Sequence, residues 1–343
     1  MAGGLVAAML VLAACGTSSS SADVGKGSGG GPTGAGTLTL YNAQHEDLMK
    51  LLVADFTRAT GIRVNMRNGE DLELGNQLVQ EGSASPADAF VTENSPAMTF
   101  VDSLGLLSRV GDAALAQVPV QFAPADRTWV GFAARATVFA YNPAQLTVAD
   151  LPTSIMDLGL PRWKDRVGIS LAGADFQAIV SAVLALRGEV ATVAWLKGLK
   201  ENAKIYSGNG AVMKAVNAGE VQSGVLFHYY WYKDQAGSGA SSDNVRLLYF
   251  GHKDPGAFLS VSAAAVVRSS RHQSEAQQLV RYLNGAAGQK ILAESTALEY
   301  PIGNGAPANP VLKPLNELGA PALPVGSLNG PKAVELMRLA GLL

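Results

Sequence analysis

The chain has 343 residues, enough for two domains or one large bilobal unit, and 48% of them are hydrophobic, enough for substantial cores. Charged residues make up only 16%, and 26 basic side chains against 28 acidic ones leave a net charge of −2. There is no basic run and no interleaving of basic with aromatic residues, so nothing in the chain attracts nucleic acid and no nucleic-acid partner is expected.

Residues 3–14 are small or apolar and lead to Cys15, the single cysteine. That run is too short to span a bilayer and matches the apolar region of a secretory signal. The stretch LAAC, Leu12 to Cys15, resembles the lipobox of bacterial lipoproteins. Residues 1–15 therefore read as a lipoprotein signal segment, cleaved before Cys15 so that its thiol carries lipid. The first basic residue is Lys26, so the charged start of such a signal is missing; a start codon placed too late would explain that. Residues 16–36 are mostly Ser and Gly and form a flexible tether with a reach of about 25 Å. With one cysteine there is no disulfide framework. The picture is a globular body leashed to the outer face of a cell membrane, and a monomer is expected.

The body opens on a predicted strand, TLTLYNA (37–43). A helix follows over 45–61, with Leu48, Leu51, Leu52 and Phe56 at helical spacing and Gly61 at its end. IRVNMRN is a second strand, DLELGNQLVQEG a helix, ADAFVTEN a third strand and PAMTFVDSLGLL a third helix. Strand–helix alternation predicts a mostly parallel sheet covered on both faces. After a long strand, WVGFAARATVFAYNP, the pattern resumes with the strand RVGIS and the helices DFQAIVSAVLALRG, VATVAWLKGLKEN and AVMKAVNAGE. GVLF is a strand that runs into tyrosines, AFLSVSAAAVVRSS a strand and SEAQQLVRYLNG a helix, before a Pro-rich tail with a final helix. Two α/β lobes are the economical reading: one from 37–137 and 260–310, the other from 138–259 and 311–343.

Ligands of open α/β sheets bind beyond the carboxyl ends of strands. His45 follows the first strand, Glu93 follows DAFV, and Tyr229 and Tyr230 follow GVLF. Neighbouring residues inside a strand point to opposite faces, so the two tyrosines share a target only if the strand has ended. GVLF followed by HYYWYKDQAG reads as a strand-to-helix junction. Each residue alone has an ordinary explanation: a helix cap, a solvated carboxylate, a packed aromatic pair. Together they offer one imidazole, one carboxylate and two phenols. A free phenol has a pKa of about 10, so two phenolates at neutral pH require a highly charged cation. Zinc sites favour Cys and His, and calcium sites carboxylates and carbonyls. Two phenolates and one carboxylate carry −3, which points to Fe(III).

The body, residues 37–343, resembles the periplasmic ferric-ion-binding proteins of bacterial ABC transporters. LTLYNAQHEDL, SPADAFVTENSPAM, LPRWKDRVGIS, AVMKAVNAGEV, HYYWY and HKDPGAFLSVSAAAVV are similar to segments of that family, and YNAQH together with HYYWY is the most specific combination. The resemblance implies a periplasmic-binding-protein-like (type II) α/β fold, two lobes joined by a hinge. It implies that His45, Glu93, Tyr229 and Tyr230 ligate Fe(III), beside a synergistic anion such as phosphate or carbonate. The anion contacts would lie at Gly173, Ala174, Asp175 and Phe176, which open a helix, and at Asn209. The implied function is an extracytoplasmic receptor delivering iron to an ABC permease.

Two departures stand out. Asp175 puts a carboxyl group where the anion would sit, and repels it if ionised and turned inward. Phe227 and His228 stand where the family often has Asn shortly before the tyrosines. A same-fold receptor for a phosphonate- or thiamine-like ligand is the alternative. An iron enzyme is not expected: His45, His228, His252 and His272 form no ligand pair at helical spacing, and GxSxG, HExxH and nucleotide loops are missing.

Overall fold

A computed structural model describes residues 36–171 and 173–343. The expected signal segment with Cys15 and the expected Ser/Gly tether, up to residue 35, lie outside the described residues. In chain order the elements begin β1 (Thr37–Asn42), α1 (Glu46–Thr60), β2 (Arg63–Asn68), α2 (Asp71–Glu81), β3 (Ala89–Thr92), α3 (Ser95–Ser103), β4 (Leu107–Ser108), α4 (Asp112–Leu115) and β5 (Trp129–Tyr141). They continue β6 (Val167–Ser170), α5 (Asp175–Asn202), β7 (Ala203–Tyr206), α6 (Asn209–Asn217), β8 (Ser223–Phe227), α7 (Tyr229–Ala236) and β9 (Arg246–Leu248). The chain closes with β10 (Leu259–Val267), α8 (Gln273–Asn284), α9 (Ala286–Glu294), β11 (Tyr300–Pro301) and α10 (Gly330–Leu339).

The strands run in the order β2-β1-β3-β10-β5-β8-β6-β7. The outer pairs, β1 with β2 and β3 and β6 with β7 and β8, are parallel, as strand–helix alternation requires. The centre is antiparallel: β10 pairs with β3 and β5, and β5 with β8. The expected mostly parallel sheet is thus right for the flanks and wrong for the middle, where the two long strands β5 and β10 lie antiparallel to each other and to their neighbours β8 and β3. β5 changes partner partway along. Trp129–Ala136 face β10, and Thr137–Tyr141 face β8. All but the last of its thirteen residues are buried.

Helix α1 buries Leu48, Met49, Leu52, Val53 and Phe56, but Leu51 is exposed, a turn away from the face that meets the sheet. The expected pair of helices around Gly188 forms one element, α5, broken at that glycine, whose φ of 78° is outside the helical range. β7, β9 and α9 were not anticipated. β7 is a partly exposed edge strand of only four residues, with Ile205 facing solvent, too short for its pattern to be read.

One charged residue lies inside β5. Arg135 is fully buried and opposite Ser260 of β10. Its guanidinium pairs with Glu299 at 3.0 Å, donates to Ser262 at 2.8 Å, and donates to the backbone carbonyl of Glu93. Removing one member of such a pair leaves the other charge buried without compensation. Arg135→Leu should therefore cost about 3–5 kcal/mol of stability. The double variant Arg135→Leu with Glu299→Gln should recover much of that loss. Urea denaturation of the wild type, Arg135→Leu, Glu299→Gln and the double variant is the check, and a double variant as unstable as the sum of the two singles would contradict the pairing.

Candidate metal centre

The polar ends of three strands meet beside Arg135. After β1 the chain turns on Asn42, whose side-chain amide donates to the carbonyl of Gln44 at 2.8 Å. Gln44 is buried and accepts the His45 backbone N–H at 2.6 Å, while its amide donates to Ser262 at 2.7 Å and Glu299 at 3.2 Å. His45 is thereby set at the start of α1. Its Nδ1 lies 2.9 Å from Glu299 Oε1, and its Nε2 lies 3.6 Å from Glu93 Oε1. The Glu299 carboxylate thus holds one ring nitrogen and leaves the other to face Glu93.

Glu93 follows β3. Its backbone N–H and that of Asn94 donate to the buried carboxyl of Asp71, at 2.7 and 2.8 Å. The Glu93 carboxylate is also 3.5 Å from Arg135. β8 ends at Phe227, and Tyr229 is the first residue of α7, so the expected strand-to-helix junction is present. Past the end of the strand the two tyrosine rings no longer point apart; they stack at 4.3 Å between centroids. The Tyr229 hydroxyl donates to Glu93 Oε1 at 3.2 Å, and the Tyr230 hydroxyl to Asp175 Oδ2 at 3.2 Å.

Asp175 opens α5, preceded by Gly173 in a left-handed conformation (φ 77°) and Ala174. It is turned inward and only 8% exposed. Its carboxyl accepts from Asn94 at 3.1 Å and from Asn209, the first residue of α6, at 2.8 Å. His228 takes no part. It is buried, with Nδ1 accepting the Ala136 N–H at 3.2 Å and its ring stacked on Tyr300. Phe227 and Phe176 are core residues.

The charges explain the protons. Burial, together with Asp175, Glu93 and the neighbouring phenol, pushes Tyr229 well above the usual tyrosine range, and burial and Asp175 do the same for Tyr230. Asp175 is pushed up to about 7 by burial and by Glu93, against the pull of Arg135 and its hydrogen-bond donors. Burial alone would raise Glu299, but Arg135 and His45 hold it down at about 2. Burial takes His228 down to about 3, so it stays neutral. Two buried phenols and a carboxyl thus hold protons near neutral pH, and a strong cation can displace them.

His45, Glu93, Tyr229, Tyr230, Asp175 and Asn209 are brought together, and Gly173 and Ala174 lie at the edge. Sequence reasoning missed Arg135, Glu299, Asn94, Asp71 and Lys233, whose ammonium lies 5.1 Å from the Tyr229 ring centre. The available signals were an arginine inside the apolar run WVGFAARATVFAY and a lone glutamate in TALEYP. Among the described residues no group of three or more His, Cys, Asp and Glu side chains is arranged to hold a metal ion.

A family model described as bacterial extracellular solute-binding protein matches residues 84–326. The Fe(3+)-binding periplasmic protein of Serratia marcescens is 56% identical over 306 residues, covering 89% of this chain and 90% of that protein. Among solved structures, iron-bound HitA from Pseudomonas aeruginosa superposes with a TM-score of 0.83 at 42% identity, covering 89% of this chain and 99% of HitA. The Trichodesmium protein solved in complex with iron and citrate ligands gives a TM-score of 0.77 at 26% identity, covering 89% of this chain and 99% of its own. The fold is the two-lobe type II periplasmic-binding-protein fold. From the family match and these relatives, the chain belongs to the bacterial extracellular solute-binding proteins.

Proposed function

We propose that this chain is an extracytoplasmic receptor that binds one ferric ion and delivers it to the permease of an ABC importer, with His45, Glu93, Tyr229 and Tyr230 as protein ligands. The observation that carries the reading is the stacked tyrosine pair, each hydroxyl already resting on a carboxylate, Glu93 for one and Asp175 for the other. Phenolate and carboxylate are hard oxygen donors, and His45 Nε2 adds a nitrogen beside Glu93. The names of the relatives, a Fe(3+)-binding periplasmic protein and an iron-bound HitA, support the same cargo. The chain acts as a carrier, not an enzyme.

The lobes in this reading are 37–137 with 260–310, and 138–259 with 311–343. The hinge lies where β5 changes partner after Ala136 and β10 begins at Leu259. His45 and Glu93 come from one lobe and the tyrosines from the other, so only the closed form completes the ligand set, and iron favours closure by that difference in affinity. Asp175, held by Asn94 and Asn209 beside Gly173 and Ala174, takes the place of an external anion. Its carboxylate supplies negative charge from within the chain, so phosphate or carbonate adds little to iron binding. Cys15 anchors the receptor to the membrane as a lipoprotein, and the body works as a monomer.

Iron loading should produce a broad visible band from phenolate-to-iron charge transfer. Tyr230→Phe should shift or remove it with the fold intact. A double variant, Tyr229→Phe with Tyr230→Phe, that kept the band and tight binding would refute the ligand assignment.

Both phenols are protonated in the iron-free protein at neutral pH, because burial and the neighbouring carboxylates raise them. Binding must therefore expel two protons from the phenols and up to one more from Asp175, and affinity should fall at least about a hundredfold for each unit of pH decrease. Proton release on loading from ferric nitrilotriacetate, corrected for the chelator's own protons, measures this directly. Release of no protons would mean that the phenols do not ligate.

A further inference from the structure

The segment that closes the metal centre from behind also borders a second space. Glu299 holds His45 and Arg135, while the next residue, Tyr300, stacks on His228 at 4.7 Å and lines a cavity of about 1120 Å³. Glu299 does not line that cavity; Tyr300 and Pro301 do. The two sites therefore share a wall and have separate interiors.

The cavity lies between the start of β10 and the Pro-rich tail. Phe122, Phe258, Val261, Leu312 and Leu323 give it an apolar lining. Its volume is at the upper end of small-molecule pockets, which run to roughly 1,000 Å³. The charged residues that line it are Lys253 and Lys313, and no acidic residue does. Among the described residues neither lysine is in an ion pair. The Lys313 ammonium sits 5.4 Å from the centre of the Tyr249 ring.

The loop carrying Lys253 is held in an uncommon shape. His252 and Lys253 both have positive φ, 50° and 59°, which residues with a side chain rarely adopt. The Lys253 backbone N–H donates to the carbonyl of Gly319 at 2.9 Å. That bond ties the backbone at Lys253 to the tail that borders the cavity, so the lysine springs from a fixed point on the rim.

We propose that this cavity is a second binding site, for a small amphipathic anion. A carboxylate or similar head lies by Lys253 and Lys313, and an apolar body of about ten carbons lies against Phe258, Leu312 and Leu323. Each part of the lining selects. Two lysines in a lining without acidic residues repel a cation and leave a neutral apolar molecule without their attraction. The apolar wall gains nothing from a small inorganic anion, which would leave it wet.

Titration calorimetry of the full chain with decanoate, decanol and inorganic phosphate tests this, on the wild type, on Lys253→Gln with Lys313→Gln, and on Leu323→Trp. The wild type should take up one decanoate per chain, with decanol and phosphate weaker by about tenfold or more, some 1.4 kcal/mol. The lysine double variant should bind decanoate no better than decanol, and the tryptophan, which intrudes on the apolar wall where the chain would lie, should weaken both. Binding that does not saturate at one per chain, that decanol matches, or that survives either variant overturns the proposal. The lysines are not among the partners of His45, Glu93, Tyr229 and Tyr230 in hydrogen bonds or ion pairs, so ferric binding by the double variant should equal that of the wild type, which keeps failure here distinct from failure at the metal centre.

Discussion

A single buried guanidinium organises the site. Burying a charge costs several kcal/mol unless it is paired and hydrogen-bonded. Arg135 meets that condition through Glu299, Ser262 and the carbonyl of Glu93. These partners come from three places in the chain, the end of β3, the middle of β10 and the residue before β11, so satisfying one cation fixes three segments at once. Glu299 in turn stays ionised at full burial because Arg135 and His45 attract its charge. His45 is then oriented by a carboxylate that cannot itself move to solvent.

The candidate site concentrates acidic groups in little space. Glu93, Asp175 and Asp71 are carboxyl groups in one small region, and two phenols are packed among them. Like charges in a poorly solvated space cannot all ionise, so protons remain on Asp175 and on both tyrosines. Those protons make the hydrogen bonds that hold the oxygens close to one another. A trivalent cation offers the same oxygens far more stabilisation than the protons do. In the proposed reading, the donors stay converged on their own protons until a stronger cation takes their place.

The sheet explains why the donors meet at all. The parallel flanks place strand ends and helix starts on a common edge, which is where His45, Glu93, Asp175 and Tyr229 stand. The antiparallel centre, β5 with β10, lets one strand serve both flanks and places the change of partner directly beside Arg135. The Pro-rich tail then crosses behind this junction and encloses the lysine-edged cavity. α10 packs on α5 and also reaches α3.

The sequence by itself determined the strand and helix order of the flanks, because apolar spacing records which face of each element is buried. It also determined the tyrosine pair: HYYWY directly after GVLF can present two phenols together only at a strand-to-helix junction, and α7 starts there. The inward face of α1 was legible except at Leu51, where spacing alone could not tell the edge of the stripe from its centre. Only the tertiary structure decided the roles of Arg135, Glu299 and Asn94, since each finds its partners tens to hundreds of residues away and leaves no periodic trace. It also decided that Asp175 points into the site while His228 points into the core beside Tyr300. The direction of a side chain at a helix start depends on what packs around it, and for Asp175 that is Asn94 and Asn209, two donors brought from opposite ends of the sheet.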